Sequence, residues 1–349
     1  MKDEHLRAQP RTCVIFGGTG CIGTHVALHF LQHPEIEHVY LADIRPLQQD
    51  NYLQPLRAAM EDGRARFVSC DVRQPLDQPD LPQHCDLIVN LAAVHREPGH
   101  TAQEYYETNL RGAEHVCAYA TRANCRQIIF TSSIAPYGPS DAIRNEDSLP
   151  VPETPYGGSK LVAEKMHIAW QQAAAGRKLV ILRPGVVFGA GEHANVARLV
   201  QSIARGYFFY MGNRDTRKAG IYVKELCQVM EFAMAQQEKC KESMLLWNVS
   251  MDPPPKLSEF VEAICRVSGY RHPRISLPRP LLLAGAHLVS GISTILGLRN
   301  AINPVRVKKV SQPTYIDPAR LRAAGYRFRY TLEQAMADWK HDAPDDFRA

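Results

Sequence analysis

Residues 12–23 read Thr12-Cys13-Val14-Ile15-Phe16-Gly17-Gly18-Thr19-Gly20-Cys21-Ile22-Gly23. A short apolar run enters a glycine turn that satisfies both the GxGxxG and GxxGxxG registers, and an amphipathic segment follows. Glycines in such a turn allow a tight reversal and close backbone approach, so the next helix can aim its N-terminus at a pyrophosphate. Glycines alone are weak evidence, but a second apolar run ends in Asp43, 20 residues beyond Gly23. That is where a carboxylate meets an adenosine ribose. Gly17, Gly20, Cys21, Ile22, Gly23 and Asp43 therefore form a dinucleotide-site candidate. Asp43 favours NAD over NADP by repelling a 2′-phosphate, while Arg45 is placed to accommodate one. Asp71 and Val72, after the third run, are candidates to cover the adenine.

Outward from this motif, apolar runs recur at Cys13–Phe16, Val39–Ala42, Phe67–Cys70, Leu87–Leu91, Ile128–Phe130 and Leu179–Leu182. Helical patterns at 21–31, 103–122 and 155–174 separate them. Strands alternating with helices predict an α/β fold, a doubly wound parallel sheet. Thr154 and Pro155 read as the N-cap and first residue of the third of these helices. After Arg183-Pro184 the rhythm breaks into glycine loops, the basic 214–218 segment, a strand-like 220–223 and helices at 257–268 and 332–339. The expected division is a dinucleotide-binding domain over 1–184, with 220–250 able to rejoin it, and a smaller C-terminal substrate-binding lobe over 185–349.

The chain has 349 residues, 41 Lys+Arg and 36 Asp+Glu, a formal charge of +5. That balance is too mild to imply nucleic acid. Twenty-two glycines and 24 prolines without a period exclude collagen-like and low-complexity classes. Nine cysteines without a CxxC pair suggest neither zinc site nor redox motif, so no metal is expected and a reducing compartment is. The N-terminus carries no signal-peptide h-region, which predicts a cytoplasmic protein. Leu281–Leu298 has no formal charge and transmembrane length, but its glycines and hydroxyl residues favour a buried helix or peripheral membrane contact over a span.

Tyr156-Gly157-Gly158-Ser159-Lys160 holds the chemistry. Helical spacing puts the Tyr and Lys side chains on one face. Lowering a phenol from a pKa of about 10 to about 7 takes roughly 4 kcal/mol, which a nearby ammonium and the nicotinamide charge supply together. Tyr156 can then exchange protons at neutral pH. Thr131-Ser132-Ser133 ends the fifth run, with Ser133 the hydroxyl aimed at the crevice and its neighbours finishing the strand or bonding the backbone.

GGTGCIG, Asp43, Asp71-Val72, Asn90-Leu91-Ala92-Ala93, Asn109, TSSIAPYG, YGGSK and LRPGVVFG occur in order. With them the chain resembles the extended short-chain dehydrogenase/reductases, the NAD-dependent epimerase/dehydratase group with a Rossmann fold. The resemblance implies catalysis by Ser133, Tyr156 and Lys160, and a cofactor wall at Leu91, Ala92 and Ala93. It also implies support from Asn109, cofactor contact from Tyr156 and Lys160, and Pro184 and Val187 beside the nicotinamide.

Departures narrow the activity. Ile134-Ala135 replaces the Asp-Glu pair of sugar 4,6-dehydratases, which disfavours dehydration. Val186 stands where many nucleotide-sugar members have an Asn. The leading expectation is a 4-epimerase of a diphosphate-linked hexose, on UDP or a lipid, acting through a transient 4-keto sugar. A 4-keto-sugar reductase, a 3β-hydroxysteroid dehydrogenase-like enzyme and a cofactor-sensing scaffold are the alternatives. Candidate substrate contacts are His95, Ser133, Glu192, His193 and Asn195, with Arg217, Lys218 and Lys308 for the diphosphate. A homodimer is expected.

Overall fold

A computed structural model describes residues 12–96, 99–140, 142–278 and 313–349. Lys308 and the 281–298 stretch lie outside the described residues. Seven parallel strands form the main sheet: β1 (Thr12–Phe16), β2 (His38–Asp43), β3 (Ala65–Ser69), β4 (Leu87–Asn90), β5 (Gln127–Thr131), β6 (Lys178–Pro184) and β10 (Met244–Val249). Their spatial order is β10-β6-β5-β4-β1-β2-β3. The order reverses between β1 and β4, which opens a crevice beyond the carboxyl ends of those strands.

Alternate residues of the strands serve two apolar layers. Cys13, Ile15, Leu41, Val89 and Ile129 pack with Val26 and Phe30 of α1 (Cys21–Phe30), Leu56 of α2 (Gln54–Glu61), and Leu226 and Met230 of α6 (Val223–Cys240). Val14, Phe16, Ile88, Ile128 and Phe130 face the other way. They meet Val116 and Tyr119 of α3 (Ala102–Arg122) and Ala163 and Trp170 of α4 (Pro155–Gln172). Both faces of each central strand are thus covered, which is why the runs read as continuous apolar stretches rather than alternating ones.

Residues 220–249 return to this structure. β9 (Gly220–Tyr222) pairs with β7 (Val186–Phe188), α6 crosses the sheet and β10 adds beside β6. A third apolar cluster joins Phe188 and Tyr222 to Val200 of α5 (Val196–Ala204), Ile264 of α7 (Leu257–Ser268) and Trp339 of a later helix (Leu332–Asp342).

Candidate active site

The glycine loop is bound to its neighbours before any ligand is considered. Gly17 N–H donates to Ala42 O at 2.8 Å, and Leu91 N–H donates to Phe16 O at 2.9 Å. Gly17 has φ +77°, and a Cβ there would press on the Leu91–Ala92 backbone at 3.0 Å. A Cβ on Gly23 would lie 2.4 Å from Gly17 O, so this glycine lets α1 sit tightly on the turn. Gly20 differs: it is exposed, and its Cβ would meet nothing closer than 3.4 Å. It caps α1 with no side-chain hydrogen bond, and the first turn has no acidic residue. By contrast α3 carries a full capping box from Thr101 and Glu104. The N-terminal N–H groups of α1, including those of Cys21 and Ile22, therefore suit a bound diphosphate.

Asp43, half-buried at the end of β2, accepts from Thr19 N–H at 3.2 Å and Arg45 N–H at 3.3 Å. Its carboxylate is thereby held beside the glycine loop, and Arg45 is exposed nearby. The donor set and the uncapped helix fit an adenine dinucleotide with free ribose hydroxyls. Asp71 has a local partner instead, a two-pronged ion pair in which Arg73 donates at 2.7–3.0 Å and holds the carboxyl below its usual pKa. Val72 is buried against Gly112 of α3.

Helix α4 carries Tyr156 and Lys160 one turn apart. Thr154 caps it by accepting from Gly157 N–H at 3.2 Å, with Pro155 in the first turn. Tyr156 is half-buried, its ring 5.9 Å from that of Tyr105. Lys160 is 2% exposed, with its ammonium 4.5 Å above the Phe130 ring. Burial pushes its pKa down to about 7, against the opposing pull of Glu164. Ser133 follows β5 and accepts from Ala135 N–H at 3.1 Å, which leaves its own proton available to donate. Asn109 ties the wall to α4: it accepts from Val94 N–H at 2.9 Å and donates to Ser159 Oγ at 2.8 Å, and Ser159 donates to Tyr156 O.

Beneath Ser133 lies a group that the motifs do not single out. Glu164, 1% exposed, accepts from Arg183 Nε and Nη2 at 2.8 and 2.6 Å and from Ser132 Oγ at 2.6 Å. Ser132 Oγ therefore bonds a carboxylate, while the Ser132 N–H donates to Leu182 O as the chain leaves β5, which Thr131 ends. The signal was available in the spacing, since Lys160 and Glu164 share a helix face that is otherwise buried, and charges there need partners.

Candidate substrate residues divide by placement. Glu192 accepts from the N–H groups of Ala194, Asn195 and Ala197 at 2.5–2.8 Å, so its carboxylate is engaged in capping α5 rather than presented to a ligand. An acidic residue just before the amphipathic 196–204 run is the sequence signal for that role. His95, His193 and Asn195 are exposed loop residues. Arg217 donates to Pro254 O at 2.6 Å and lies over the Tyr315 ring, so it is committed to its own loop. Lys218 is half-buried, and burial lowers its pKa to about 8. Its neighbour Ala219 shares a small apolar cluster with Ile134, the residue after Ser133, which brings Lys218 to the catalytic end of the sheet. Pro184 is buried and Val187 half-buried at the same end.

The sequence pattern of the NAD dependent epimerase/dehydratase family matches residues 13–249, from β1 to the last residue of β10. The chain belongs to this family. Within it, the chain is 32% identical over 270 residues to the N-acetyl-alpha-D-glucosaminyl-diphospho-ditrans,octacis-undecaprenol 4-epimerase of Escherichia coli O157:H7, covering 76% of this chain and 80% of that protein. It is 24% identical to a 3beta-hydroxysteroid-dehydrogenase/decarboxylase of Arabidopsis thaliana, over 89% of this chain and 74% of that one. The fold of this family member matches that of UDP-glucuronic acid 4-epimerase from Bacillus cereus, solved in complex with NAD, with a TM-score of 0.73 and 17% identity. The match covers 97% of this chain and 100% of that one. NAD is the cofactor of the family.

Proposed function

We propose that the chain is a 4-epimerase of a diphosphate-linked hexose or N-acetylhexosamine carried on a polyprenyl lipid. The observation that carries this reading is the arrangement of Tyr156, Lys160 and Ser133 at the open end of an NAD fold that shares 32% identity with a lipid-linked sugar 4-epimerase. NAD, when bound, supplies a hydride acceptor and then a hydride donor. Tyr156 removes the proton from O4 as the alcohol is oxidised, and gives it back as the ketone is reduced. Lys160 holds the phenol near neutrality and binds the nicotinamide ribose, and Ser133 donates a hydrogen bond to O4 throughout. Between the two transfers the ketone presents its other face.

Lys218 is the cation for the diphosphate in this reading. Its depressed pKa fits a group that regains full charge beside an anion. Val186, half-buried in β7, offers no amide to a nucleotide-borne ligand, which favours the lipid carrier. Residues 185–222, 250–278 and 313–349 make up the substrate side in this reading, and contact with the membrane surface through 281–298 belongs to the same proposal. Among the described residues no helix is long and apolar enough to cross a membrane. Exposed Tyr106 on α3 and Val162 on α4 support a homodimer through those helices.

A second reading rests on the sterol-type relatives, which align over 89–95% of this chain against 76% for the Escherichia coli epimerase. Both readings start by oxidising a secondary alcohol and part at the fate of the ketone. Incubation without added cofactor separates them: polyprenyl-diphospho-GlcNAc in detergent should give its C4 epimer, whereas soluble UDP-GlcNAc should turn over poorly. With NAD then added, NADH formed in step with an oxidised 3β-hydroxysteroid, and no epimer from either sugar, would decide for the second.

A further inference from the structure

His29 stands in the last turn of α1, and His33 lies four residues on, in the turn whose N–H donates to Phe30 O. Across the apolar layer formed by Phe30, Val229 and Met230, Glu231 projects from α6 toward both imidazoles. His29 Nε2 lies 3.0 Å from Glu231 Oε2, and His33 Nε2 lies 3.9 Å from Glu231 Oε1. One ligand atom from each of the three residues falls within 4.8 Å of the other two. A tetrahedral ion bonded at about 2.0–2.1 Å sets its ligand atoms about 3.3–3.4 Å apart, so small rotamer shifts would close this set on a metal. A fourth residue supports it. Glu35 Oε1 is 3.6 Å from His33 Nδ1, so a carboxylate backs the imidazole whose other nitrogen faces the cluster. Carboxylate–imidazole–metal is the arrangement that fixes a ligating ring.

We infer that His29, His33 and Glu231 bind a divalent transition-metal ion of the zinc class, with Glu35 orienting His33 and the fourth position open to water. Two imidazoles and a carboxylate suit Zn²⁺, Co²⁺ or Ni²⁺ better than Mg²⁺ or Ca²⁺, which prefer all-oxygen shells. Two carboxylates offset the charge of the ion. The site is remote from chemistry, because it sits at the end of α1 opposite the glycine loop. Its effect is to clamp α1 to α6 on one face of the sheet.

The test uses the untagged full chain, stripped with chelator and titrated with Zn²⁺ and Co²⁺. One ion should bind per chain, Co²⁺ should give the visible spectrum of a tetrahedral nitrogen/oxygen site, and Tm should rise by at least about 3 °C at roughly a hundredfold excess over Kd. His33→Gln and Glu231→Gln should each weaken binding about tenfold or more while keeping the metal-free Tm. All nine cysteines remain in these variants, so binding to thiols is a constant background. Equal metal uptake and equal Tm response in the parent and the double variant would overturn the site and leave a hydrogen-bonded His29–Glu231 pair on a solvated face.

Discussion

Lys160 combines two demands that oppose each other. Its ammonium must stand near Tyr156 to favour the phenolate, yet it is buried over Phe130, which disfavours the charge and brings its pKa to about 7. The unfolded chain then holds more protons at this residue than the folded one between about pH 7 and 10.5, so the cost to stability is greatest below pH 7 and fades as pH rises through that window. Lys160→Met should therefore raise the Tm of the cofactor-free protein at pH 7 while cutting turnover and NAD affinity; Glu164 remains paired with Arg183, so no orphan charge is left. Differential scanning and steady-state rates on the same preparation check both halves. Tyr156→Phe should remove most turnover and leave NAD binding within a few-fold, because only the proton-carrying hydroxyl is lost; equilibrium titration against activity reads this directly. Lys218 gives a pH signature of its own. Its pKa of about 8 in the free protein means the cation is lost above that pH, so KM for a diphosphate sugar should climb there, up to about tenfold per unit. In Lys218→Met the KM should be higher and flat over the same range.

Individual elements carry the distinction between folding and binding within one motif. Gly23→Ala puts a methyl 2.4 Å from Gly17 O and should destabilise the protein, whereas Gly20→Ala has room and should keep the Tm while weakening NAD, whose diphosphate approaches that backbone. At the end of β2, Asp43 should favour NAD over NADP by at least about tenfold, roughly 1.4 kcal/mol; tighter NADPH binding in a fluorescence titration would shift the phosphate to Arg45. Strands β1 to β6 and the helices α1, α3 and α4 were legible because apolar runs, caps and turn glycines agree on them, whereas β10 was not read as a strand. Thr154-Pro155 marked the start of α4 to the residue. Helices α2 and α5 were not legible: α2 is two turns long with Pro55 at its start, and α5 is a short amphipathic stretch behind a loop holding Gly185, Gly189 and Gly191. The buried Glu164–Arg183 pair escaped for a different reason: its partners are 19 residues apart, on a helix and a strand, and only packing brings them together. Glu192 reads in the sequence as a loop carboxylate, and only folding brings it the three backbone donors of the α5 start.

For the whole molecule, the glycine loop, Asp43 and Ser133 follow the ends of β1, β2 and β5, while Tyr156 and Lys160 come from the start of α4 and Asn109 from α3. Glycine turns and YxxxK spacing are local, which is why the cofactor was readable from motifs, whereas no local motif marks the substrate. Epimerisation at C4 makes a demand that neither reduction nor sterol oxidation shares, namely that the hydrogen taken from C4 returns to the same carbon. The decisive measurement is therefore to incubate the purified protein, without added cofactor, with polyprenyl-diphospho-GlcNAc deuterated at C4 and to follow the sugar by NMR. Epimerisation at C4 should give a mixture of both C4 epimers with the deuterium retained at C4 and no net NADH. Absence of the epimer, or an epimer that has lost the deuterium from C4, would contradict it.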